Sequence, residues 1–473
     1  MKDNPYREDR EQIDELLKEY ENLQKGVSHS FFEEEAFEKI ITHFQDKDDL
    51  TRAMEAVRLA VERYPYSGML LIKKADIQLA SRRYQEALDT LELAALLDNG
   101  DINLYILRTD AYLALDRQEK AVELLQEALN LFEGAERVEL LFELADVYDD
   151  YEEFDKVFDC LKTILEQDPN NEEALYKICF WTDYTGRNEE SIRLHRSIID
   201  EFPYNELAWF NLGAAYQGLK LYEKAIDAYQ YALVIDEKFD YAYRNIGDAY
   251  IRLKKYREAI EMLEKVIELA KPEDVVFEAI GHCYDRLKNF AQARFYYRKA
   301  THLRQDDDRL YYKIACSYFN ETNWTQCTRY LEQAMKIRRN HAEYNLLLGE
   351  CKVQSGDFSE AVLCFSNVVR LKPRNLNGWE ALVRCLYKAE LFEEALEKSE
   401  MALAVTNGKP LFSFYKAAAL VALGKTKEAS LQLESAMLNS PRLLKKAVEL
   451  NPSMLQNQLV VDVIARFRTK KSL

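Results

Sequence analysis

Proline and glycine are scarce in this sequence. Its 473 residues include 9 prolines and 14 glycines, too few for an all-β chain, in which turns recur every ~8–12 residues, or for a disordered one. No uncharged run of about 18 residues is present to cross a bilayer, and residues 1–10 lack the apolar stretch and cleavage site of a secretory signal. These absences favour a helical, cytoplasmic protein without a membrane span.

Residues for catalysis or metal binding are also sparse. The 8 cysteines are far apart without a Cys-x-x-Cys pair, and the 6 histidines are scattered, so we expect reduced, buried thiols without a disulfide framework. The phosphate-binding, dinucleotide-binding, serine-hydrolase and zinc-protease motifs are all absent. We therefore predict that the protein is not an enzyme and uses no cofactor and no metal ion.

A 34-residue period organises most of the chain. Repeat starts at 34, 68, 102, 138, 172, 206, 240, 274, 308, 342, 376 and 410 give twelve units over residues 34–443, with a slip of two residues near Glu136. The twentieth position is alanine except at Val157, Ser191 and Cys327, and the eighth position is small in ten units. Small residues at both positions allow two helices to approach closely, so each unit is predicted to be a helical hairpin.

One unit has a strong family resemblance, which its two successors repeat from Tyr243 and Phe277. The unit has an aromatic residue, a Leu-Gly pair and a tyrosine, followed by two alanines around a second tyrosine. This pattern resembles the tetratricopeptide repeat. The residues are Trp209, Leu212, Gly213, Tyr216, Ala225, Tyr229 and Ala232. The resemblance implies an all-α, right-handed superhelical solenoid whose concave groove binds a protein or peptide.

Both flanks of the array are predicted to be helical. Residues 1–33 form an acidic amphipathic helix that either caps the first repeat or docks a partner, with apolar residues at helical spacing (Ile13, Leu16, Leu17, Tyr20 and Leu23). Phe31 and Phe32 are interpreted as a staple onto the first repeat, with a docking motif as the alternative. Residues 444–473 are a closing helix with a basic tail, and its apolar residues are Leu455, Leu459, Val463 and Phe467.

The candidate binding residues follow from the first helix of each unit. Positions 2, 5, 9 and 12 form a stripe beside the packed positions, and by resemblance this stripe lines the groove. We predict that partner contacts are made by Tyr176, Phe180, Phe210, Tyr241, Arg244, Asp248, His282 and Tyr312. Asn211 and Asn245 share position 6, where asparagines of related arrays form a ladder that bonds a threaded peptide; the alternative is that both are ordinary consensus residues.

Charge is distributed unevenly along the sequence. Residues 1–250 contain 28 Lys and Arg against 55 Asp and Glu, whereas residues 251–473 contain 36 against 27. The acidic half should repel DNA, and it suits a basic segment docking on repeats 1 to 6. The terminal Arg466, Arg468, Lys470 and Lys471 either contact an anionic surface or only solubilise the chain. We expect a monomer or a weak, salt-sensitive head-to-tail self-association.

The sequence thus predicts a non-catalytic scaffold or adaptor that holds an extended polypeptide in its groove. The flanks, at residues 1–33 and 444–473, are too short to fold as a catalytic domain. Two alternatives stay open. One is a ribonucleoprotein-associated factor that uses the basic carboxyl-terminal half, although RNA is not the expected partner, and the other is an accessory subunit of an enzyme complex.

Overall fold

The computed structural model describes residues 5–25, 32–271 and 273–469. These described residues fold into α-helices and two short 3₁₀ helices, with no β-strand among them. They divide into two compact units, Met1–Glu237 and Lys238–Leu473. The all-α class expected from the scarcity of proline and glycine and from the helical period is confirmed.

The first unit contains thirteen of the helices. Their bounds are α1 Pro5–Gln24, α2 Glu34–Asp46, α3 Leu50–Arg63, α4 Gly68–Ala80, α5 Tyr84–Leu97, α6 Ile102–Ala114, α7 Gln118–Ala128, α8 Gly134–Asp150, α9 Phe154–Gln167, α10 Glu172–Thr185, α11 Asn188–Glu201, α12 Glu206–Gly218 and α13 Tyr222–Ile235.

The second unit contains the remaining helices. Their bounds are α14 Asp240–Arg252, α15 Tyr256–Leu269, α16 Asp274–Arg286, α17 Phe290–Leu303, α18 Asp308–Asn320, α19 Trp324–Ile337, α20 Ala342–Gln354, α21 Phe358–Leu371, α22 Leu376–Lys388, α23 Phe392–Val405, α24 Pro410–Ala422, α25 Thr426–Asn439, α26 Leu444–Leu450 and α27 Gln458–Thr469. The 3₁₀ helices are Pro441–Leu443 and Pro452–Gln456.

Consecutive helices pack in pairs as hairpins, from hairpin 1 (α2 and α3) to hairpin 12 (α24 and α25). Many first helices begin after a capping residue, as at Asn205, whose side-chain oxygen accepts the Ala208 N–H at 2.8 Å. Hairpin 4 starts early, because α8 begins at Gly134, before residue 138. Hairpin 5 is also unusual, since α10 packs mainly against α9 and α12 and touches its own partner α11 little.

The close approach within a hairpin depends on the small residue at the eighth position. In hairpins 6 and 10, the first helix has Gly213 and Gly349 there. A Cβ atom added to Gly213 would lie 2.6 Å from ring carbons of the fully buried Tyr229, and one added to Gly349 would lie 2.5 Å from the Phe365 ring. The glycine therefore makes room for a large side chain of the second helix, as the spacing of small residues predicts.

Each of the twelve hairpins turns through a residue in the left-handed conformation at the fifteenth position of its unit. Only Gly186, Gly356 and Gly424 are glycines; the others, with φ between 56° and 60°, are Asp48, Arg82, Asp116, Glu152, Lys220, Lys254, Lys288, Thr322 and Glu390. In most hairpins the next residue's N–H donates to a carbonyl five residues earlier, as Lys255 does to Tyr250 O at 2.9 Å. This pattern ends the first helix with a Schellman-type cap.

The turn at Thr322 should be the most strained of the nine non-glycine turns. A β-branched residue is a rare occupant of the left-handed region, and Thr322 adopts φ 60° there. We expect Thr322→Gly to raise the free energy of unfolding by about 1 kcal/mol, since relief of strain exceeds the added entropy of the unfolded chain. Urea denaturation followed by circular dichroism measures the change.

The matched control for that substitution is the next hairpin. Gly356 occupies the same turn position with φ 82°, and an added Cβ would meet nothing within 4 Å, so Gly356→Thr changes backbone strain without a clash. It should lower the free energy of unfolding by about 1–2 kcal/mol. A lower urea midpoint for Thr322→Gly, or an unchanged one for Gly356→Thr, would refute the assignment of strain to this position.

Helix α1 packs at the start of the array. Tyr20 and Phe32 are buried in one apolar cluster with Phe37 and Phe44 of α2, and Tyr64 O–H donates to Phe32 O at 2.7 Å. Leu16, Leu17 and Leu23 pack against the same cluster. Phe32 therefore serves as packing for hairpin 1, while Phe31, its neighbour in the predicted staple, lies outside the described residues.

The carboxyl-terminal helix covers hairpin 12 with only part of the predicted face. Val460, Val463 and Ile464 of α27 are buried against Phe414 and Met437, while Leu455 and Leu459, expected in the packed face, are 52% and 43% exposed. The expectation holds for Val463 and for Phe467, which packs against the same cluster, and it is wrong for Leu455 and Leu459. Leu455 lies in the 3₁₀ helix Pro452–Gln456, before α27 begins at Gln458. The α-helical spacing therefore cannot be extended back to Leu455.

Candidate interaction surface

In each unit, first helices of neighbouring hairpins touch one another. Helix α4 contacts α6, α6 contacts α8, and α10 contacts α12; in the second unit, α18, α20, α22 and α24 are in successive contact. No two second helices of neighbouring hairpins are in comparable contact within the described part of the chain. We call the surface made by the first helices of a unit the first-helix face. The predicted binding residues belong to first helices, and those on α14 and α16 lie outside the first-helix contacts just named.

Tyr176 and Phe180 are the most exposed candidates of the first unit. They lie one turn apart on α10, and their side chains are 63% and 60% exposed. Phe180 belongs to an aromatic cluster with Trp181, Tyr184 and Phe154: the Phe180 and Tyr184 rings stack at 5.9 Å, and the Phe154 and Tyr184 rings meet edge to face at 4.7 Å. Large exposed aromatics beside polar groups suit contact with a partner.

The two candidates on α12 are less accessible. Phe210 is half-buried with its ring 5.4 Å from that of Tyr229. Asn211 is 3% exposed, and its amide donates to Leu175 O at 2.8 Å. This amide already has its partners inside the protein. We therefore withdraw Asn211 from the predicted peptide ladder, because binding would require breaking a buried hydrogen bond.

The second partner of Asn211 is His195 of α11. Asn211 Nδ2 lies 3.2 Å from His195 Nε2, and His195 Nδ1 lies 2.8 Å from Ser191 O. These partners assign the proton to Nδ1, so that the neutral ring donates to the carbonyl and accepts from the amide. Complete burial lowers the pKa of His195 to about 4. Asn211 thus joins the loosely paired helices α10 and α11 of hairpin 5.

Tyr241 and Arg244 stand together on α14. Tyr241 is 57% exposed, and the Arg244 guanidinium lies 5.7 Å from the centre of its ring. Arg244 Nη2 also donates to Glu273 Oε1 at 2.9 Å, and this hydrogen bond lowers the pKa of Glu273. The arginine is thereby fixed beside an accessible ring. A bound segment could use the ring face without displacing the ion pair.

Asn245 and Asp248 follow on the same helix. Asn245 is half-buried, while the Asp248 carboxylate lies 3.6 Å from Arg252 Nε, one turn further along α14. Both side chains are partly accessible. Their position on the first-helix face keeps both among the proposed contacts.

His282 and Tyr312, on α16 and α18, are half-buried. The His282 ring meets Tyr256 edge to face at 6.4 Å, and burial together with the nearby Lys313 lowers its pKa. The Tyr312 ring lies 4.8 Å from that of Tyr344, and burial raises its pKa. Both rings are held by aromatic neighbours, so they offer a preorganised edge rather than a mobile side chain.

The first unit carries a row of carboxyl groups that are partly accessible to solvent. Asp76, Asp110 and Asp146 occupy the ninth position of repeats 2, 3 and 4, on α4, α6 and α8. Burial raises the pKa of Asp110, with a further contribution from Asp76; it also raises that of Glu143, which feels both Asp110 and Asp146. Like charges on neighbouring helices make this part of the first-helix face strongly acidic.

Some cations of the second unit are engaged in ion pairs. Besides Arg244, its ion pairs include Arg294 with Glu321 at 2.7 Å, Arg304 with Asp274 at 3.0 Å, Arg309 with Asp307 at 2.8 Å, Lys446 with Glu380 at 2.8 Å, and the close pairs Lys313 with Glu278 and Lys352 with Glu360. Several of these pairs join neighbouring hairpins. The pairs hold these particular side chains in place, whereas the excess of basic over acidic residues in this part of the sequence remains.

The thiols are placed for packing. Burial raises the pKa of Cys283 to about 12 and that of Cys385 to about 11, and buried Cys351 and Cys327 have their sulfurs 3.2 Å apart. A thiol with a raised pKa is a poor nucleophile at neutral pH. Within the described ranges, no three His, Cys, Asp or Glu side chains are grouped to hold a metal ion.

Among the residues that the structure describes, no helix has the length and apolar character needed to span a membrane.

Sequence reasoning missed part of the aromatic cluster. Phe154 starts a second helix, and Trp181 and Tyr184 fall outside the stripe positions used for the prediction. Tyr184 follows Tyr176 and Phe180 at intervals of four residues, and this spacing alone places all three on one helix face. The contact of Phe154 with α10 depends on how hairpins 4 and 5 pack, which the sequence does not specify.

Comparison with solved structures gives low identities. A C-terminal part of a TPR repeat-containing protein from Cytophaga hutchinsonii is 17% identical, with 54% of this chain and 99% of that chain covered and a TM-score of 0.44. The Cut9–Hcn1 hetero-tetramer of the APC/C is 16% identical, with 82% of this chain and 90% of that chain covered and a TM-score of 0.36. YrrB, described as a TPR protein with an unusual peptide-binding site, is 19% identical, with 40% of this chain and 96% of that chain covered and a TM-score of 0.36.

Family models give the assignment. No curated protein matches the chain, but three models of the tetratricopeptide repeat match residues 204–271, 276–307 and 346–410. The matched segments coincide with successive hairpins, and the remaining helices fit the same tandem arrangement. The chain is therefore a tetratricopeptide repeat protein.

Proposed function

We propose that the protein is a non-catalytic, cytoplasmic scaffold or adaptor that binds an extended polypeptide on its first-helix faces. The observation that carries the proposal is the exposure of large aromatic side chains there: Tyr176, Phe180 and Tyr241 are each more than half exposed and stand beside fixed polar groups. Such rings bury much apolar area on binding at little entropic cost. Phe210, Arg244, Asn245, Asp248, His282 and Tyr312 complete the proposed contacts.

The proposal treats residues 34–443 as twelve repeats, with the flanking helices as caps. A capping role for α1 is supported by burial of Tyr20 against hairpin 1, because terminal repeats otherwise expose an apolar face. The ribonucleoprotein alternative has no specific observation in its favour, although ion pairs engage only some cations of the second unit. Nor does any feature favour an accessory subunit of an enzyme complex over a scaffold.

Site-specific photocrosslinking tests the proposed function. A benzophenone amino acid placed at Tyr176 or at Tyr241 should crosslink a polypeptide partner in cells, because both side chains project from the first-helix face. The same probe at Tyr66 or Tyr204 is the control, since these are 84% exposed but lie between hairpins. We expect crosslink yields at least severalfold higher at the first-helix positions, with mass spectrometry identifying the partner segment crosslinked at each position.

Two outcomes would contradict the proposal. Equal yields at all four positions would mean that exposure alone determines crosslinking. Crosslinks to RNA at Tyr176 or Tyr241, lost on ribonuclease treatment, would favour the ribonucleoprotein alternative instead.

A further inference from the structure

The aromatic cluster of hairpins 4 and 5, defined by Phe154, Phe180, Trp181 and Tyr184, has accessible ring surface. Phe180 and Tyr184 are 60% and 59% exposed. Phe154 and Tyr184 border an open depression of about 440 Å³, whose rim also carries Glu152 and Asp155. An exposed aromatic patch of this kind marks an interaction site when its surroundings specify a ligand.

The surroundings of the cluster are anionic and not neutralised. Glu152 and Asp155 stand on the rim of the depression, and Asp183 precedes Tyr184 on α10. Within the described residues, none of these three carboxylates has a cation at ion-pair distance. Lys156, which also lines the depression, pairs with Glu153, and Arg187 donates to the backbone carbonyl of Asp155 at 3.0 Å while its ion pairs are with other carboxylates. Accessible rings and unpaired carboxylates together favour a cationic group over a neutral or acidic one.

The same hairpins already contain this combination in completed form. Arg187 lies 4.3 Å from the centre of the Phe158 ring while pairing with Asp159 at 2.7 Å and Glu190 at 2.8 Å. No Lys or Arg of the described chain lies over a ring of the aromatic cluster, whereas Lys156 lies over Tyr148 at 4.8 Å. The cluster therefore has the rings and the carboxylates of such a site without the cation.

We propose that the aromatic cluster binds an arginine side chain from a basic segment of a partner protein. The guanidinium stacks on the exposed rings of Phe180 and Tyr184, and its N–H groups donate to Glu152, Asp155 or Asp183. Arginine fits better than lysine because its planar group stacks on a ring and donates sideways at the same time. This inference rests on the proposed function and names the chemistry of one part of the partner.

Fluorescence anisotropy with synthetic peptides tests the inference on the full chain. The probe is a labelled peptide of alternating arginine and serine, and the reference peptide replaces each arginine by citrulline, which has nearly the same shape but no charge. We expect the arginine peptide to bind at least tenfold more tightly at about 150 mM salt. The double substitution Phe180→Ala with Tyr184→Ala should weaken binding about tenfold, and Asp155→Asn with Glu152→Gln should weaken it severalfold.

Tyr204→Ala is the control, because it removes an even more exposed tyrosine from the same unit and should leave binding unchanged. Circular dichroism verifies that each variant stays folded. Equal binding of both peptides, or binding that survives the α10 substitutions, would overturn the inference. The proposed function could still hold in that case, since crosslinks from Tyr176 and Tyr241 do not depend on arginine; loss of those crosslinks is what contradicts the function.

Discussion

The substitution Gly213→Val should destabilise hairpin 6 by about 3 kcal/mol, although valine is a better helix former than glycine. The reason is space: the first added carbon would lie 2.6 Å from two ring carbons of Tyr229, which is fully buried and cannot turn aside. Trp209 stacks on Tyr231 at 4.4 Å within the same hairpin. Its fluorescence during urea denaturation therefore reports the loss locally.

A glycine without a close contact provides the comparison. At Gly68, the start of α4, the nearest atom to an added Cβ is Asp98 Cβ at 3.5 Å, an ordinary contact. Gly68→Val should change the free energy of unfolding by less than about 0.5 kcal/mol. If Gly213→Val were as stable as the wild type, close approach of the two helices would not be what selects a small residue at the eighth position.

Acidification should weaken hairpin 5 through His195. Its pKa of about 4 in the folded chain lies below the usual 6.5, so the unfolded chain takes up the proton first as the pH falls. Stability is then lost between pH 6.5 and 4, by about 3 kcal/mol in total and about 2 kcal/mol at pH 5. Urea denaturation at pH 7.5 and at pH 5, with Trp181 and Trp209 as reporters, measures the loss.

The variant His195→Leu isolates this contribution. Leucine cannot titrate, and Asn211 keeps its hydrogen bond to Leu175 O. Between pH 7.5 and pH 5, the free energy of unfolding of the variant should therefore fall by about 2 kcal/mol less than that of the wild type. The raised pKa values of Asp110 and Glu143 act in the opposite direction, because protonation then favours the folded state; they contribute equally to both proteins. Identical pH profiles would show that the buried imidazole is not the cause.

Much of the fold follows from the sequence because its determinants are local. A small residue at the eighth position opposite a large one in the second helix, as at Gly213 and Tyr229, repeats with the helical period and needs no knowledge of distant contacts. The family resemblance is confirmed on the same residues, since a tetratricopeptide model matches residues 204–271. The left-handed turn position could not be predicted from the sequence, because acidic, basic and neutral residues all occupy it.

The surface is harder to predict, because the same residue type can bind a partner or hold the protein together. Asn211 and Asn245 share one position in the repeat, but the Asn211 side chain is hydrogen-bonded to His195 of the preceding hairpin. The pairing of Arg244 with Glu273 likewise joins two hairpins. Such contacts depend on packing between repeats, and a 34-residue consensus describes only what happens within one.

The nine non-glycine turns have a consequence for how far this chain lies from its most stable sequence. Each left-handed residue costs about 1 kcal/mol, and because the turns belong to different hairpins their costs should add. The sum, on the order of 9 kcal/mol, rivals the whole folding free energy of a typical domain. Glycine substitutions would recover only the part of this strain that exceeds the added entropy of the unfolded chain, and they would leave the first-helix face unchanged.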